Sequence, residues 1–117
     1  MHNFKKLEVW IKSVELVIDI YQLVNKFPDI ERFGLASQMQ RAAISIPTNI
    51  AEGSAKSSNK DFSRFLEIAL GSSYELETEL LLSYKLAYVE LEIHEQFQHR
   101  ISEVQRMING LKEALKQ

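Results

Sequence analysis

Cysteine is absent from this 117-residue chain, which removes disulfide frameworks, thiol nucleophiles and thiolate zinc sites together and fits a reducing compartment. Proline and glycine are scarce, at 2 and 4, too few for a disordered or all-β chain. No apolar run approaches the roughly 20 residues that a membrane span needs. The opening Met-His-Asn-Phe-Lys-Lys-Leu-Glu has no signal-like apolar core before Glu8, so a soluble, unexported, cytoplasmic protein without membrane partners is expected. Basic excess is also missing: 14 Lys and Arg stand against 16 Asp and Glu, a formal charge of −2, so nucleic acid would have to be held by a local patch.

Helical periodicity fills the chain. One domain over residues 1–117 is expected, an all-α, antiparallel up-down-up-down four-helix bundle with helices at about 6–26, 34–52, 59–87 and 92–116. In the first helix, Leu7, Trp10, Val14, Val17, Tyr21 and Val24 step by three and four, a heptad-like seam widened by Ile11, Ile18 and Ile20. Phe27-Pro28 ends it. The second helix centres on Gln38 to Gly53 and carries no charge from Ala42 through Ala51, which predicts burial nearly all round. A kink is expected near Pro47, and Gly53 reads as a left-handed helix end. Ser58 and Asp61 resemble a capping box opening the third helix, whose inner face would be Phe62, Phe65, Leu66, Ala69, Ser73, Leu76, Leu80 and Tyr84. That helix has its own uncharged belt, Ile68 to Tyr74, where Gly71 reads as a place of close helix contact. Ile93, Phe97, Ile101, Val104, Ile108, Leu111 and Leu115 give the fourth helix, with Asn109-Gly110 inside it.

Catalytic signatures are missing from these helices. A di-iron bundle uses Glu-x-x-His pairs, and no Glu here precedes a His by three. His94 and His99, five apart, share no face and read with His2 as solvated side chains, so no metal or cofactor is implied. There is no Gly-x-Ser-x-Gly elbow, and no Arg is followed about five residues later by His as in some helical ribonucleases. An enzyme is not expected.

Two polar groupings stand out instead. Arg41, Ser45, Asn49 and Glu52 form one stripe on the second helix, expected to join Glu75 or Glu79 of the third in a network that sets helix register or a subunit contact. Such a stripe is also a candidate pocket for an RNA phosphate or small ligand. The two uncharged belts exceed what a lone bundle needs, which assigns the subunit contacts of a homo-oligomer to the second and third helices, with Ser45, Gly71 and Ser72 inside them. Glu at Ser45 or Ser72 would then break the particle while leaving helicity intact. The basic grouping is Lys56, Lys60 and Arg64 at the loop between those helices, with Lys5, Lys6 and Lys12 as a second cluster. Exposed Glu90, Glu92 and Glu95 offer an acidic surface to a protein partner.

The run Gln38-Met-Gln-Arg-Ala-Ala-Ile-Ser-Ile-Pro-Thr-Asn-Ile-Ala-Glu-Gly, followed by Phe65-Leu-Glu-Ile-Ala-Leu-Gly-Ser and Glu75-Leu-Glu-Thr-Glu-Leu, resembles the bacterial four-helix-bundle family named for 23S rRNA intervening-sequence proteins. The likeness extends from Phe4 and Trp10 to Leu115. It implies a cytoplasmic bundle assembled as a closed ring, typically of five subunits, and associated with structured RNA. It also implies kinship with accessory proteins of diversity-generating retroelements, which contact RNA and a reverse transcriptase. Those relatives are markedly basic, whereas this chain is slightly acidic. Binding of RNA or ribonucleoprotein is expected through the local patch of Lys56, Lys60 and Arg64, aided by Lys5 and Lys6, with a protein-only adaptor for an enzyme such as a polymerase as the alternative.

Overall fold

The computed structural model describes residues 2–116, so the terminal residues of the expected 1–117 domain lie outside it. Four α-helices account for most of the described residues: α1 (Glu8–Val24), α2 (Leu35–Ser54), α3 (Asn59–Lys85) and α4 (Leu91–Leu115). Short 3-10 turns at Phe4–Lys6 and Asp29–Glu31 precede α1 and α2. Neighbours follow chain order round an antiparallel bundle, each helix lying beside the next and α4 returning to α1. The expected up-down-up-down architecture is therefore the observed one.

α2 and α3 pack most closely, and α1 and α4 least. Small residues explain the first. Ala42, Ala43 and Gly53 on α2 are buried opposite Ala69, Ser72 and Ser73 on α3, so the backbones approach without large side chains between them. A Cβ on Gly53 would stand 2.7 Å from Phe65 Cβ and 2.8 Å from Phe62 Cδ1. Gly53 is thus a close-approach residue inside α2, which runs to Ser54, and not the left-handed helix end that its position predicts; no glycine has positive φ. Gly71 is the reverse case. No atom of another helix lies within 4 Å of a Cβ placed there, so the close helix contact expected of it does not occur within this bundle. Pro47 is buried, and α2 runs through it without interruption.

Most of the buried serines are satisfied within their own helix. Ser13, Ser54, Ser73 and Ser83 each donate to a carbonyl three or four residues back, at 2.6 to 2.8 Å. Ser13 hid the true inner face of α1. The buried positions are Val9, Ser13, Leu16, Ile20 and Val24, one residue round from the apolar seam, while Val14 and Val17 are half-buried and Tyr21 is exposed. α2 is likewise not buried all round, because Arg41, Ile44, Thr48 and Glu52 are open along one edge. On α3, Phe65 and Tyr84 are half-buried, and Ser72 and Ser83 take inner positions.

α3 ends in a Schellman turn. The Tyr88 N–H reaches the Ser83 carbonyl at 2.9 Å and the Ala87 N–H reaches that of Tyr84 at 2.9 Å, with Ala87 at φ 66°. Glycine normally fills that position, since an L side chain there crowds the following carbonyl. Ala87→Gly is expected to raise stability by about 0.5–1 kcal/mol in urea unfolding. Gly53→Ala should lower it by about 1–3 kcal/mol, through overpacking against Phe62 and Phe65, whereas Gly71→Ala should add about 1 kcal/mol of helix propensity.

Candidate nucleic-acid interface

Antiparallel packing brings both predicted basic clusters to one end of the bundle. That end holds the N-terminal segment, the α2–α3 loop and the last turns of α4. The His2 N–H donates to the Ser54 carbonyl at 3.1 Å, drawing Lys5 and Lys6 toward the loop that carries Lys56. Asn59 Nδ2 donates to the Leu115 carbonyl at 3.2 Å, fixing the end of α4 against the start of α3. The Ser58 hydroxyl caps α3 by accepting from the Asp61 N–H at 3.1 Å, as the Ser58/Asp61 spacing predicts.

Lys60 and Arg64 line a concavity of about 380 Å³ with Ser63, Glu67, Lys112 and Lys116. Lys112 and Lys116 belong to this surface, but their distance along the chain hid them. Lys56 lies 5.0 Å from the centre of the Phe65 ring, a cation–π contact that holds its ammonium at the loop. Acids temper the patch: Arg64 meets Asp61 at 3.4 Å, Lys112 meets Glu67 at 3.4 Å and Lys116 meets Glu113 at 2.9 Å. Exposed pairs of this kind are worth at most about 1 kcal/mol, so a phosphate competes with them readily. Among the described residues Lys5, Lys6, Lys56 and Lys60 make no ion pair. Lys12 separates from its predicted cluster, lying 3.4 Å from Glu103 on the flank.

The polar stripe of α2 is arranged differently from the expected network. Ser72 Oγ donates to Ser45 Oγ at 2.7 Å, and Asn49 Nδ2 donates to Ser45 Oγ and to the Ser45 carbonyl at 2.9 and 2.8 Å. This chain of bonds joins α2 to α3 within the bundle. Neither Glu75 nor Glu79 takes part, and Arg41 and Glu52 are exposed and make no ion pair among the described residues. Because the two serines face each other across the seam, Glu at Ser45 or Ser72 would stand against the facing helix of the same bundle as well as against any neighbouring copy.

Glu79 is the most perturbed carboxylate. It lies with Gly71, Tyr74, Glu75 and Thr78 around a shallow depression of about 370 Å³ on α3, and its Oε1 is out of water with no hydrogen-bond partner. Desolvation, and then the Glu75 charge one turn away, push its pKa up from 4.5 to about 7. His94 also departs from expectation: its ring nitrogens are out of water without partners, and the ring stacks on Tyr84 at 5.2 Å. His2 and His99 are exposed as predicted. Among the described residues no group of three His, Cys, Asp or Glu is placed to hold a metal.

The raised Glu79 pKa has a definite sign. Between pH 4.5 and about 7 the folded chain binds the proton more tightly than the unfolded one, so this group's contribution to stability falls as pH rises through that window and is flat above it. Glu79→Gln should therefore stabilise the protein by about 1 kcal/mol at pH 8 and by little at pH 4.5, after a discount for water that reaches part of the carboxyl. Thermal unfolding of the two proteins at both pH values checks this.

No curated protein matches this chain at a significant level. Among solved structures it is similar to the crystal structure of a protein of unknown function from the S23 ribosomal protein family of Bacteroides thetaiotaomicron VPI-5482. The two share 29% identity over 89% of this chain and 97% of that one, with a TM-score of 0.80. The model of the 23S rRNA-intervening sequence proteins matches residues 5–110, and the chain belongs to that family.

Proposed function

We propose that the protein is a homo-oligomeric bundle, assembled as a closed ring of five subunits, that binds structured RNA through its basic end and acts by binding and not by catalysis. The reading rests on one observation above all: clusters that are remote in sequence, Lys5/Lys6, Lys56/Lys60/Arg64 and Lys112/Lys116, meet at one end. Most of the remaining acids lie elsewhere, so a chain of net charge −2 still presents a local cationic surface. Membership in a family named for intervening sequences of 23S rRNA agrees with an RNA partner. Ring assembly would repeat the cationic end around one rim, and each phosphate neutralised there releases counterions.

Fluorescence anisotropy with a base-paired RNA hairpin tests the reading. Affinity is expected to fall steeply with salt, and reversal of Lys56, Lys60 and Arg64 to Glu should weaken it by about tenfold or more at low salt while the particle mass is unchanged. Binding that ignores both salt and these reversals would refute the assignment. A protein that retains no RNA but captures a protein after nuclease treatment would be an adaptor, with exposed Glu90, Glu92 and Glu95 at the opposite end as its contact.

A further inference from the structure

The end of the bundle away from the basic patch carries the most exposed apolar side chains of the molecule. Ile30 is 85% and Phe33 89% exposed, both in the α1–α2 loop. That loop is built and not slack. Glu31 clamps it: Oε1 accepts from the Leu35 N–H at 3.1 Å, and Oε2 accepts from the Tyr88 hydroxyl at 2.9 Å. Gly34 makes room for the clamp, since a Cβ there would stand 2.8 Å from Glu31 Oε1. With Glu31 held inward, Ile30 and Phe33 project into solvent, and the Arg32 guanidinium lies 5.4 Å from the Phe33 ring centre. Leaving two such side chains bare on a fixed loop is unfavourable unless something covers them.

At the same end, on the neighbouring side, α1 and α4 leave a groove of about 470 Å³ between them. Leu23, Val89, Ile93 and Phe97 supply its apolar wall, while Lys26 and Glu90 stand on its rim. Arg100 meets Asp19 at 2.8 Å in the lining of the groove, and Lys12 meets Glu103 at 3.4 Å further along the same two helices. Beside knob and groove, Asp29 and Arg32 on the loop and Lys26 and Glu90 on the rim make no ion pair among the described residues. Their signs are complementary.

We propose that the α1–α2 loop is a preformed knob that seats Ile30 and Phe33 in the α1–α4 groove of a second copy of this chain. Arg32 then meets Glu90 of that copy, and Asp29 meets its Lys26. The contact rests on the homo-oligomer reading above and gives it a surface. Knob and groove occupy adjacent sides of the four-helix bundle, so each copy is rotated relative to the last, the head-to-tail arrangement from which a closed ring is built. Both lie at one end, so successive copies sit at one height. All basic ends then face the same rim.

The absence of cysteine makes a direct test possible. Phe33→Cys and Ile93→Cys proteins, each mixed alone and then together under mild oxidation, are expected to give the disulfide-linked pair only in the mixture. Native mass spectrometry of Phe33→Asp should show dissociation into folded monomer, with the dissociation constant raised about thirtyfold or more and the helical circular dichroism retained. Arg32→Glu should weaken assembly, and Glu90→Arg in the same chain should restore it. A wild-type oligomer that keeps its mass in Phe33→Asp and forms no mixed disulfide would overturn the knob while sparing the homo-oligomer. A wild-type monomer, including one that floats with anionic phospholipid vesicles through Phe33, would overturn both.

Discussion

The close approach of α2 and α3 is the constraint on which the rest of the bundle depends. Gly53 lies against Phe62 and Phe65, and the Ser45 and Ser72 hydroxyls meet at 2.7 Å, so the two helices have almost no freedom to slide. One polar bond at a small-residue seam sets register: shifting either helix by a turn would bury the serines opposite apolar side chains and leave their hydroxyls unpaired. Once α2 and α3 are fixed, Met39, Ile46, Ile50, Leu66, Leu76 and Leu80 face inward together, and α1 and α4 complete the core with Leu16, Ile20, Ile101, Val104 and Ile108. α1 and α4 pack least closely, and two ion pairs bridge them, which tolerate separation better than packed side chains do. A tight pair carrying a looser pair is the mechanical character of the molecule.

Antiparallel connection then sorts the surface by end. One end gathers Lys56, Lys60, Arg64, Lys112 and Lys116; the other gathers Ile30, Phe33, Leu86 and Leu91. Neither grouping exists along the chain. Lys112 lies far from Lys60 in sequence and shares a concavity with it only because α4 returns beside α3. The mean charge of the protein is consequently a poor guide to what each end attracts.

Much of the fold was legible because it rests on periodicity. All four helices begin and end within a few residues of their expected positions, and the Ser58 cap was readable as a pattern of hydroxyl and acid. The errors share a cause: small residues were read by propensity when their role is set by what lies opposite. Ser13 is an inner position with its hydroxyl returned to the Trp10 carbonyl, so counting only apolar residues turned α1 by one residue. Gly53 resembled a helix end because glycine commonly ends helices, and only the Phe62 and Phe65 side chains reveal why it lies within α2. Ala87 in a left-handed turn gave no glycine to read. Of the candidate site, Lys56, Lys60 and Arg64 were visible as a local run, whereas the Glu31 clamp joins residues 57 apart and left no local trace.

The uncharged belts show how composition and geometry divide the explanation. Ala42, Ala43, Ser45, Ile46, Ile50, Ala69, Ser72 and Ser73 lack charge because they line the seam between α2 and α3, as the Asn49–Ser45–Ser72 bonds require, whereas Ile44, Ile68 and Tyr74 of the same belts stay exposed. The seam thus explains the inner side of each belt and not its exposed apolar side. A single chain also leaves unexplained a rigid loop that exposes Phe33 and a groove of matching apolar character and opposite rim charge. An exposed aromatic on a flexible tip costs little, because the tip can fold it away; on a loop pinned at 2.9 and 3.1 Å it cannot, and the exposure persists until a partner covers it. The rigidity of the Glu31 clamp is thus what turns an ordinary surface phenylalanine into a binding element, since the ordering entropy has been met before any partner arrives.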